Sequence, residues 1–357
     1  MNHAMHHESS QPASRPEQHP ASAAVRYSII VAVYNRPDEL DELLTSLTEQ
    51  TVTDFEVVVV EDGSTVPCKS VCDRYADRLR IAYHAKENTG PGPSRNFGCR
   101  RATGDMFIFV DSDCMAPPHW LASIDAAVRE HGYDAFGGPD REHPSFSMTQ
   151  KAISYAMTSM LTTGGIRGKQ VRTGGAFHPR SFNMGMTHQV FHATDGFARM
   201  RFGEDVDLSI RIIRGGFKTG LIPDAWVYHK RRTDLMKFFK QVHNSGIARI
   251  NLTLRHPGTL KLTHFFPAAF TSFLVIALFY ALFLPKGVYA LLPLAIYLVL
   301  IWIGGSVHYR SPLVGLTCVA ASIVQLVGYG TGFISGLFRR IILGKAEAHA
   351  FEKTFYK

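Results

Sequence analysis

Two carboxylates one residue apart, Asp111 and Asp113, close an apolar run from Met106 to Val110. Carboxylates that close repel each other unless a cation lies beside them. A hard divalent ion bound to a diphosphate supplies that cation, because Mg²⁺ and Mn²⁺ take oxygen ligands from protein and phosphate together. An ion so placed stabilises the charge that builds on a departing diphosphate. A bare Asp-x-Asp also occurs in turns and helix caps, so its meaning depends on its company. Tyr34-Asn35 follows the run Tyr27 to Val33, and Glu61-Asp62-Gly63-Ser64 follows Phe55 to Val60. Glu204-Asp205 opens a helical stretch that ends at Gly215-Gly216, and His229 lies just past a short apolar run, Ala225 to Tyr228.

These polar groups need a frame. The short β-branched runs at 27–33, 55–60, 80–83 and 106–110 read as buried strands, and the stripe Leu40, Leu43, Leu44 and Leu47 reads as a helix entered at Pro37. Strands alternating with helices predict an α/β domain with a mainly parallel sheet covered on both faces. Ligands on such sheets bind at the carboxyl ends of the strands, where the polar groups fall.

The 357-residue chain carries a net charge of +8. Eight Lys or Arg lie between His229 and Lys261 against one acid, Asp234. Leu235, Phe238, Phe239 and Val242 recur there at helical spacing, which predicts an amphipathic helix in a membrane interface. Three uncharged stretches follow, Phe265 to Leu284, Val288 to Ile303 and Pro312 to Phe338, each about long enough to cross a bilayer. Four glycines, Gly328, Gly330, Gly332 and Gly336, weaken the third, which either bends back or packs closely on neighbouring helices. A basic block leading straight into apolar spans argues for a membrane surface and against nucleic acid. The five cysteines form no C-x-x-C pair and predict neither a disulfide framework nor a zinc site. Residues 1–25 are rich in His, Ser, Pro and Ala and read as a disordered tail whose His3, His6 and His7 are solvated.

The segments VAVYNRP (Val31 to Pro37), VEDGST (Val60 to Thr65), NTGPGPSRNFG (Asn88 to Gly98), DSD (Asp111 to Asp113), FGEDVDLSIR (Phe202 to Arg211) and VYHKR (Val227 to Arg231) share an order and spacing. In these the chain resembles the inverting family 2 glycosyltransferases of GT-A fold, over Tyr27 to about Arg255, and its apolar segments resemble membrane-anchored bacterial members. The resemblance implies a catalytic domain at 26–232, a basic interfacial segment at 233–262, a membrane region of two to three helices at 263–338 and a tail at 339–357.

It also implies roles. Ala32, Tyr34 and Asn35 line the nucleotide, and Asp62 accepts from the base N–H. Gly90 lets the backbone approach, and Arg95 meets phosphate. Asp111 lies near ribose and metal, Asp113 binds the metal, and His229 is a further ligand, leaning the ion toward Mn²⁺ with Mg²⁺ open. Asp205 is the base, with Glu204 as its rival; Arg180, Ser181 and Asn183 line the donor sugar and the acceptor. Basic Arg167, Lys169 and Arg172, bracketed by Gly164-Gly165 and Gly174-Gly175, suggest an acceptor loop. The Gln-x-x-Arg-Trp motif of processive synthases is missing from Gln241-Val242-His243-Asn244-Ser245, which argues against long-chain polymerisation.

The implied activity is transfer of one sugar from a UDP- or GDP-sugar to a lipid-linked acceptor, during polysaccharide or glycolipid assembly. Two alternatives stand beside it: a polyprenyl-phosphate glycosyltransferase, and an inactive nucleotide-binding membrane scaffold. With no apolar signal core before residue 26 and a basic flank before the first span, the expected location is the inner (cytoplasmic) membrane. The chain would be multi-pass, with its catalytic domain facing the cytoplasm.

Overall fold

The computed structural model describes residues 27–163 and 177–347. The tail at 1–25, the Gly-bracketed loop and the last ten residues lie outside the described residues, and with them the expectations placed there. The first part of the chain alternates strand and helix: β1 (Tyr27–Val33), α1 (Pro37–Thr48), β2 (Phe55–Asp62), α2 (Lys69–Asp73), β3 (Arg80–Lys86), α3 (Pro91–Cys99) and β4 (Met106–Val110). It continues through β5 (Cys114–Met115), α4 (Trp120–His131), β6 (Ala135–Gly137), β7 (Asp140–Arg141), α5 (Met148–Thr158) and α6 (Met160–Thr163). After residue 176 come β8 (Asn183–Thr187), α7 (His188–Thr194), α8 (Glu204–Arg214), β9 (Thr219–Leu221) and β10 (Val227–His229). The last four helices are α9 (Leu235–Arg255), α10 (Phe266–Phe283), α11 (Leu292–Tyr309) and α12 (Pro312–Leu337).

Seven strands form one sheet in the order β3-β2-β1-β4-β8-β6-β9. Strands β3, β2, β1 and β4 are parallel, as the alternation predicts; β8 runs antiparallel to both neighbours, so the sheet is mixed. Successive side chains of a strand face opposite ways. Ile29, Val31 and Val57 therefore enter one buried cluster, with α1 and α4, and Ile30, Val58 and Val60 another, with Leu208 and Ile212 of α8. Burial on both faces explains why these strands read as unbroken apolar runs.

A small second sheet, β5-β10-β7, sets His229 opposite Cys114. His229 is thus the last residue of a strand rather than the residue past it. This pairing carries it 115 positions back along the chain to the Asp-x-Asp turn.

Three helical segments are long and apolar enough to cross a membrane, Leu262–Phe283, Gly287–Tyr309 and Pro312–Ile342. They differ in surroundings: over an apolar 18-residue stretch of each, 44% of the third is buried against 11% of each of the others. α12 lies between α9, α5, α10 and α11. It is one unbroken helix, and its glycines permit backbone contact rather than a bend. A Cβ on Gly332 would stand 1.9 Å from the His243 carbonyl oxygen, and one on Gly246 of α9 would stand 2.3 Å from the Tyr329 oxygen. Small residues four apart let two helices approach this way.

The helix expected in a membrane interface is α9, N-capped by Asp234. Much of its apolar face is spent on protein: Phe238 and Val242 pack with Ala152, Ile153 and Ala156 of α5 and Ala321 of α12. The basic block is also partly internal. Lys230 pairs with Glu42 at 2.6 Å, Arg231 with Asp140, and Arg255 with Glu347 at 3.6 Å.

Candidate active site

β4 delivers Asp111 and Asp113 at its carboxyl end. Asp113 is clamped from two sides. Arg36, just after β1, donates to its Oδ2 at 2.5 Å, and His229 Nε2 stands 3.3 Å from its Oδ1. Against the cost of burial, His229 and then Arg36 hold the Asp113 carboxyl well below the usual range. The His229 ring stacks on Phe182, centroids 5.1 Å apart. Burial disfavours its charged form, but Asp113 raises its pKa overall.

Ligand atoms of Asp113, His229 and Cys114 all lie within 4.8 Å of one another. Burial keeps the Cys114 thiol protonated, and its Sγ donates to the Phe182 carbonyl at 3.7 Å. A thiol is a poor ligand until it ionises, so carboxylate and imidazole are the donors suited to a divalent ion. Asp113 Oδ1 and His229 Nδ1 are both buried without a hydrogen-bond partner. A bound cation satisfies such a carboxylate oxygen, so these residues fit a divalent ion.

Asp111 does not join that group. Its Oδ1 accepts from Arg95 Nη2 at 2.6 Å, and Arg95 Nη1 reaches Glu204 Oε1 at 3.3 Å. Arg95 rises from α3, its side chain only 6% exposed, with the guanidinium over the Phe197 ring at 5.3 Å. It therefore bridges the Asp-x-Asp turn and the start of α8. The expected phosphate-facing arginine is here a strut between two acidic sites.

Glu204 and Asp205, adjacent at the first turn of α8, are pushed apart in acidity. Burial and then Asp205 raise the Glu204 carboxyl to about 7, with Arg95 opposing. Asp205 meets the same burial but is held below its ordinary value by Arg180 and by the Val206 N–H. Arg180 Nε donates to Asp205 Oδ2 at 2.7 Å, and Val206 N to Oδ1 at 2.8 Å. One carboxyl is thus kept ionised beside one that titrates at about 7, an acid–base division of the kind that environment imposes on paired groups.

Around the β1 and β2 ends, Ala32 and Tyr34 are half-buried and Asn35 is exposed, with φ 52°. Asn35 Oδ1 accepts from Thr65 N at 2.7 Å and Val66 N at 3.0 Å, tying two strand ends together. Asp62 is buried and engaged. Its oxygens accept from Lys86 Nζ at 2.5 Å, Thr89 N at 2.9 Å and Gly90 N at 2.8 Å. Gly90, at φ 94°, is the cap of α3. Asp62 therefore fixes the loop that aims α3 instead of offering a free carboxylate. Asn183 is fully buried: its Oδ1 accepts from Trp120 Nε1 at 3.1 Å, and its Nδ2 donates to the Ala225 carbonyl at 2.7 Å. With both ends of the amide committed, it holds β8 in place and is withdrawn from the sugar side.

Behind Asp205 opens a cavity of about 800 Å³. Asp205, Arg180 and Gly203 line it together with Phe266, Tyr297, Gln325 and Tyr329, from α10, α11 and α12. Asp205 and the apolar helices share one space.

Residues 28–193 match the family model of glycosyl transferase family 2. Over these residues, a little under half of the chain, it is similar to that family. A solved mannosyltransferase of Pyrobaculum calidifontis, PcManGT, described in complex with GDP-Man and Mn²⁺, aligns with a TM-score of 0.57 at 18% identity, over 90% of this chain and 89% of that one. That likeness speaks to the fold, which is the GT-A fold. Validoxylamine A glucosyltransferase of Streptomyces hygroscopicus subsp. limoneus is 37% identical over 129 residues, 32% of this chain and 28% of that protein. The Staphylococcus aureus (strain Mu50) poly(ribitol-phosphate) beta-N-acetylglucosaminyltransferase TarS is 36% identical over 114 residues, 31% of this chain and 20% of that protein. The chain spans less than a third of the length of these curated relatives.

Sequence reasoning about this domain missed two neighbours of the Asp-x-Asp turn. Arg36 was legible: it stands at a strand end beside Asn35, on the sheet edge where Asp113 falls. Cys114 carried no signal, because its place depends on the β5–β10 pairing.

Proposed function

We propose that the protein is an inverting, metal-dependent glycosyltransferase that moves one sugar from a nucleotide-sugar donor to a lipid-linked acceptor at the membrane. The observation that carries this reading is the cavity running from Asp205 to the apolar helices. A hydroxyl entering from the membrane side meets an ionised carboxylate, and Asp205 takes its proton as the oxygen bonds to the anomeric carbon. The bond from that carbon to the diphosphate breaks in the same displacement, so the centre inverts. Glu204, raised to about 7, carries less negative charge beside Asp205 than an ordinary carboxylate would, and Arg180 fixes the orientation of Asp205.

On the donor side, Asp113 and His229 would hold Mn²⁺ or Mg²⁺, with Asp111 close by on Arg95. Such an ion supplies charge stabilisation to the departing diphosphate. Arg36 and His229 keep Asp113 ionised for that task. Ala32, Tyr34 and Asn35 form the nucleotide side, at the strand ends where α/β sheets bind ligands. The mannosyltransferase described with GDP-Man and Mn²⁺ supports a GDP-sugar, and TarS, named for N-acetylglucosaminyl transfer, keeps a UDP-sugar open. The three apolar helices support a multi-pass membrane location; the catalytic domain then faces the cytoplasm, where nucleotide sugars are made.

The test is a panel of UDP- and GDP-sugars with purified full-length protein, Mn²⁺ or Mg²⁺, and total membrane lipid as acceptor. Transfer of label to the lipid fraction from one donor is the expected result. Tight nucleotide binding with no turnover on any donor would instead fit a scaffold. A second reading takes polyprenyl phosphate as acceptor, favoured by the arginines that line the cavity. A phosphate nucleophile needs no base, so full activity of Asp205→Asn would select it.

A further inference from the structure

The cavity behind Asp205 is balanced at one end and unbalanced at the other. At the catalytic end Asp205 and Arg180 neutralise each other. Asp205 is the one acid that lines the cavity among the described residues. Arg249 lines the same cavity from α9. Its Nε is buried with no hydrogen-bond partner, and among the described residues no carboxylate pairs with it. Gln325, on α12, lines the same space, and its Oε1 is likewise buried and unpartnered. Arg249 is half-buried, and a guanidinium drawn partly out of water without a counter-ion is costly; two polar residues that line one cavity with their hydrogen bonding incomplete mark a place where a ligand supplies partners.

The local field is positive. His178, whose ring shares a 3.0 Å hydrogen bond with Ser209 Oγ, has its pKa lowered by partial burial and then by three positive neighbours, Lys261, Arg180 and Arg249. Most of the remaining wall is apolar: Leu252, Phe266, Tyr297 and Tyr329 come from α9, α10, α11 and α12 in turn, with polar Gln241, Ser245 and His264 among them. The chemistry that fits both halves is an anion carried on a hydrocarbon chain. A free phosphate leaves the apolar wall uncovered, and a neutral lipid leaves Arg249 unpaired.

We infer that the membrane end of the cavity is a subsite for a lipid phosphate, in which Arg249 takes the charge, Gln325 bonds the ester or an attached hydroxyl, and the chain lies among α9, α10, α11 and α12. Whatever is attached beyond the phosphate reaches toward Asp205. The inference rests on the glycosyl-transfer reading for the ligand's role as acceptor, but not for its binding.

The experiment uses full-length protein in phosphatidylcholine nanodiscs, with calorimetric titration of farnesyl phosphate, farnesol and inorganic phosphate. Farnesyl phosphate is expected to bind saturably, with farnesol and phosphate each weaker by about tenfold or more, since a hydrogen bond to a charged group contributes more than one decade. Arg249→Gln should weaken farnesyl phosphate by a similar factor, Arg249→Lys by less, and Gln325→Leu by a few-fold. UDP and GDP binding with Mn²⁺, measured on the same samples, should not change.

Equal binding of farnesyl phosphate and farnesol by the wild-type protein would overturn the inference without any variant. So would unchanged affinity in a folded Arg249→Gln protein, or inorganic phosphate binding as tightly as farnesyl phosphate. Full displacement by phosphatidylglycerol in the nanodisc would identify a bulk-lipid site and overturn it too. Arg249-dependent lipid binding without nucleotide binding would refute glycosyl transfer and leave the subsite standing; the reverse would refute the subsite alone.

Discussion

The donor half and the acceptor half of this site are finished to different degrees. On the proposed donor half, Asp113 is held by Arg36 and His229, Asp111 by Arg95, and Asp62 by Lys86 and two backbone N–H groups, and the atoms left without a hydrogen-bond partner, Asp113 Oδ1 and His229 Nδ1, belong to side chains already fixed in place. On the proposed acceptor half, Arg249 and Gln325 line the cavity, each with one buried side-chain atom that lacks a hydrogen-bond partner, and no ion pair holds Arg249 among the described residues. A donor site built on strand ends is rigid before its ligand arrives, because its side chains are locked by ion pairs rooted in the sheet. An acceptor site made where helices meet leaves its polar groups for the ligand to complete. The difference teaches that preorganisation follows the scaffold: the sheet supplies it and the helix junction does not.

The sharpest way to break the comparison is to remove the cation from the donor half. Chelation by EDTA should abolish transfer and added Mn²⁺ or Mg²⁺ restore it; Asp113→Ala should abolish it without rescue. Full turnover in excess chelator would leave Asp113 and His229 a purely structural pair.

Next in size is Asp205→Asn. It should cut turnover by about 10² to 10⁴, the usual worth of a general base, while nucleotide binding measured by calorimetry stays near wild type. A large loss of nucleotide affinity would show that the two halves are not separable.

A smaller effect tests the helix junction. Gly332→Leu places a side chain where a Cβ already meets the His243 carbonyl at 1.9 Å. Overpacking of this kind costs about 1–3 kcal/mol. Thermal unfolding in detergent should fall accordingly, with hydrogen exchange rising in α9 and staying low in β1, β2 and β4. Uniform destabilisation would mean that sheet and helices unfold as one unit.

The smallest effect is electrostatic. The Glu204 carboxyl sits at about 7 in the folded protein, above its unfolded value of about 4.3. A carboxyl raised by folding contributes stability at low pH that is lost as pH rises through the folded value. From pH 5 to pH 8 the wild type should therefore lose more stability than Glu204→Gln, by about 2 kcal/mol. Parallel pH curves of Tm for the two proteins would show that Glu204 is already ionised at pH 5.

Much of the catalytic domain could be read directly. Val57 to Val60 spell a strand buried on both faces, and the polar residues after β1, β2 and β4 mark the sheet edge where the site forms. The three apolar stretches are helices close to the expected bounds. Less legible was what each polar residue does. Asp62 and Asn183 look like ligand contacts by type, yet one holds the α3 loop and the other is sealed between Trp120 and Ala225. Strands β6 and β8 were also missed: they are three and five residues long, too short for a period to declare itself.

Composition and spacing alone determined the alternating sheet, the acids at its edge and the presence of apolar helices, because each depends on neighbours within a few residues. Partnership was decided in three dimensions. Only the fold brings His229 to Asp113, puts Arg95 between Asp111 and Glu204, and lays α9 along the glycines of α12. Apart from Arg95 with Asp111, 16 positions along, those contacts join residues roughly 85 to 115 positions apart, and no local pattern encodes which of many similar side chains will meet. The separation of Glu204 from Asp205 has the same origin: two adjacent acids of one chemical kind acquire different charge states from burial and from which arginine each one faces.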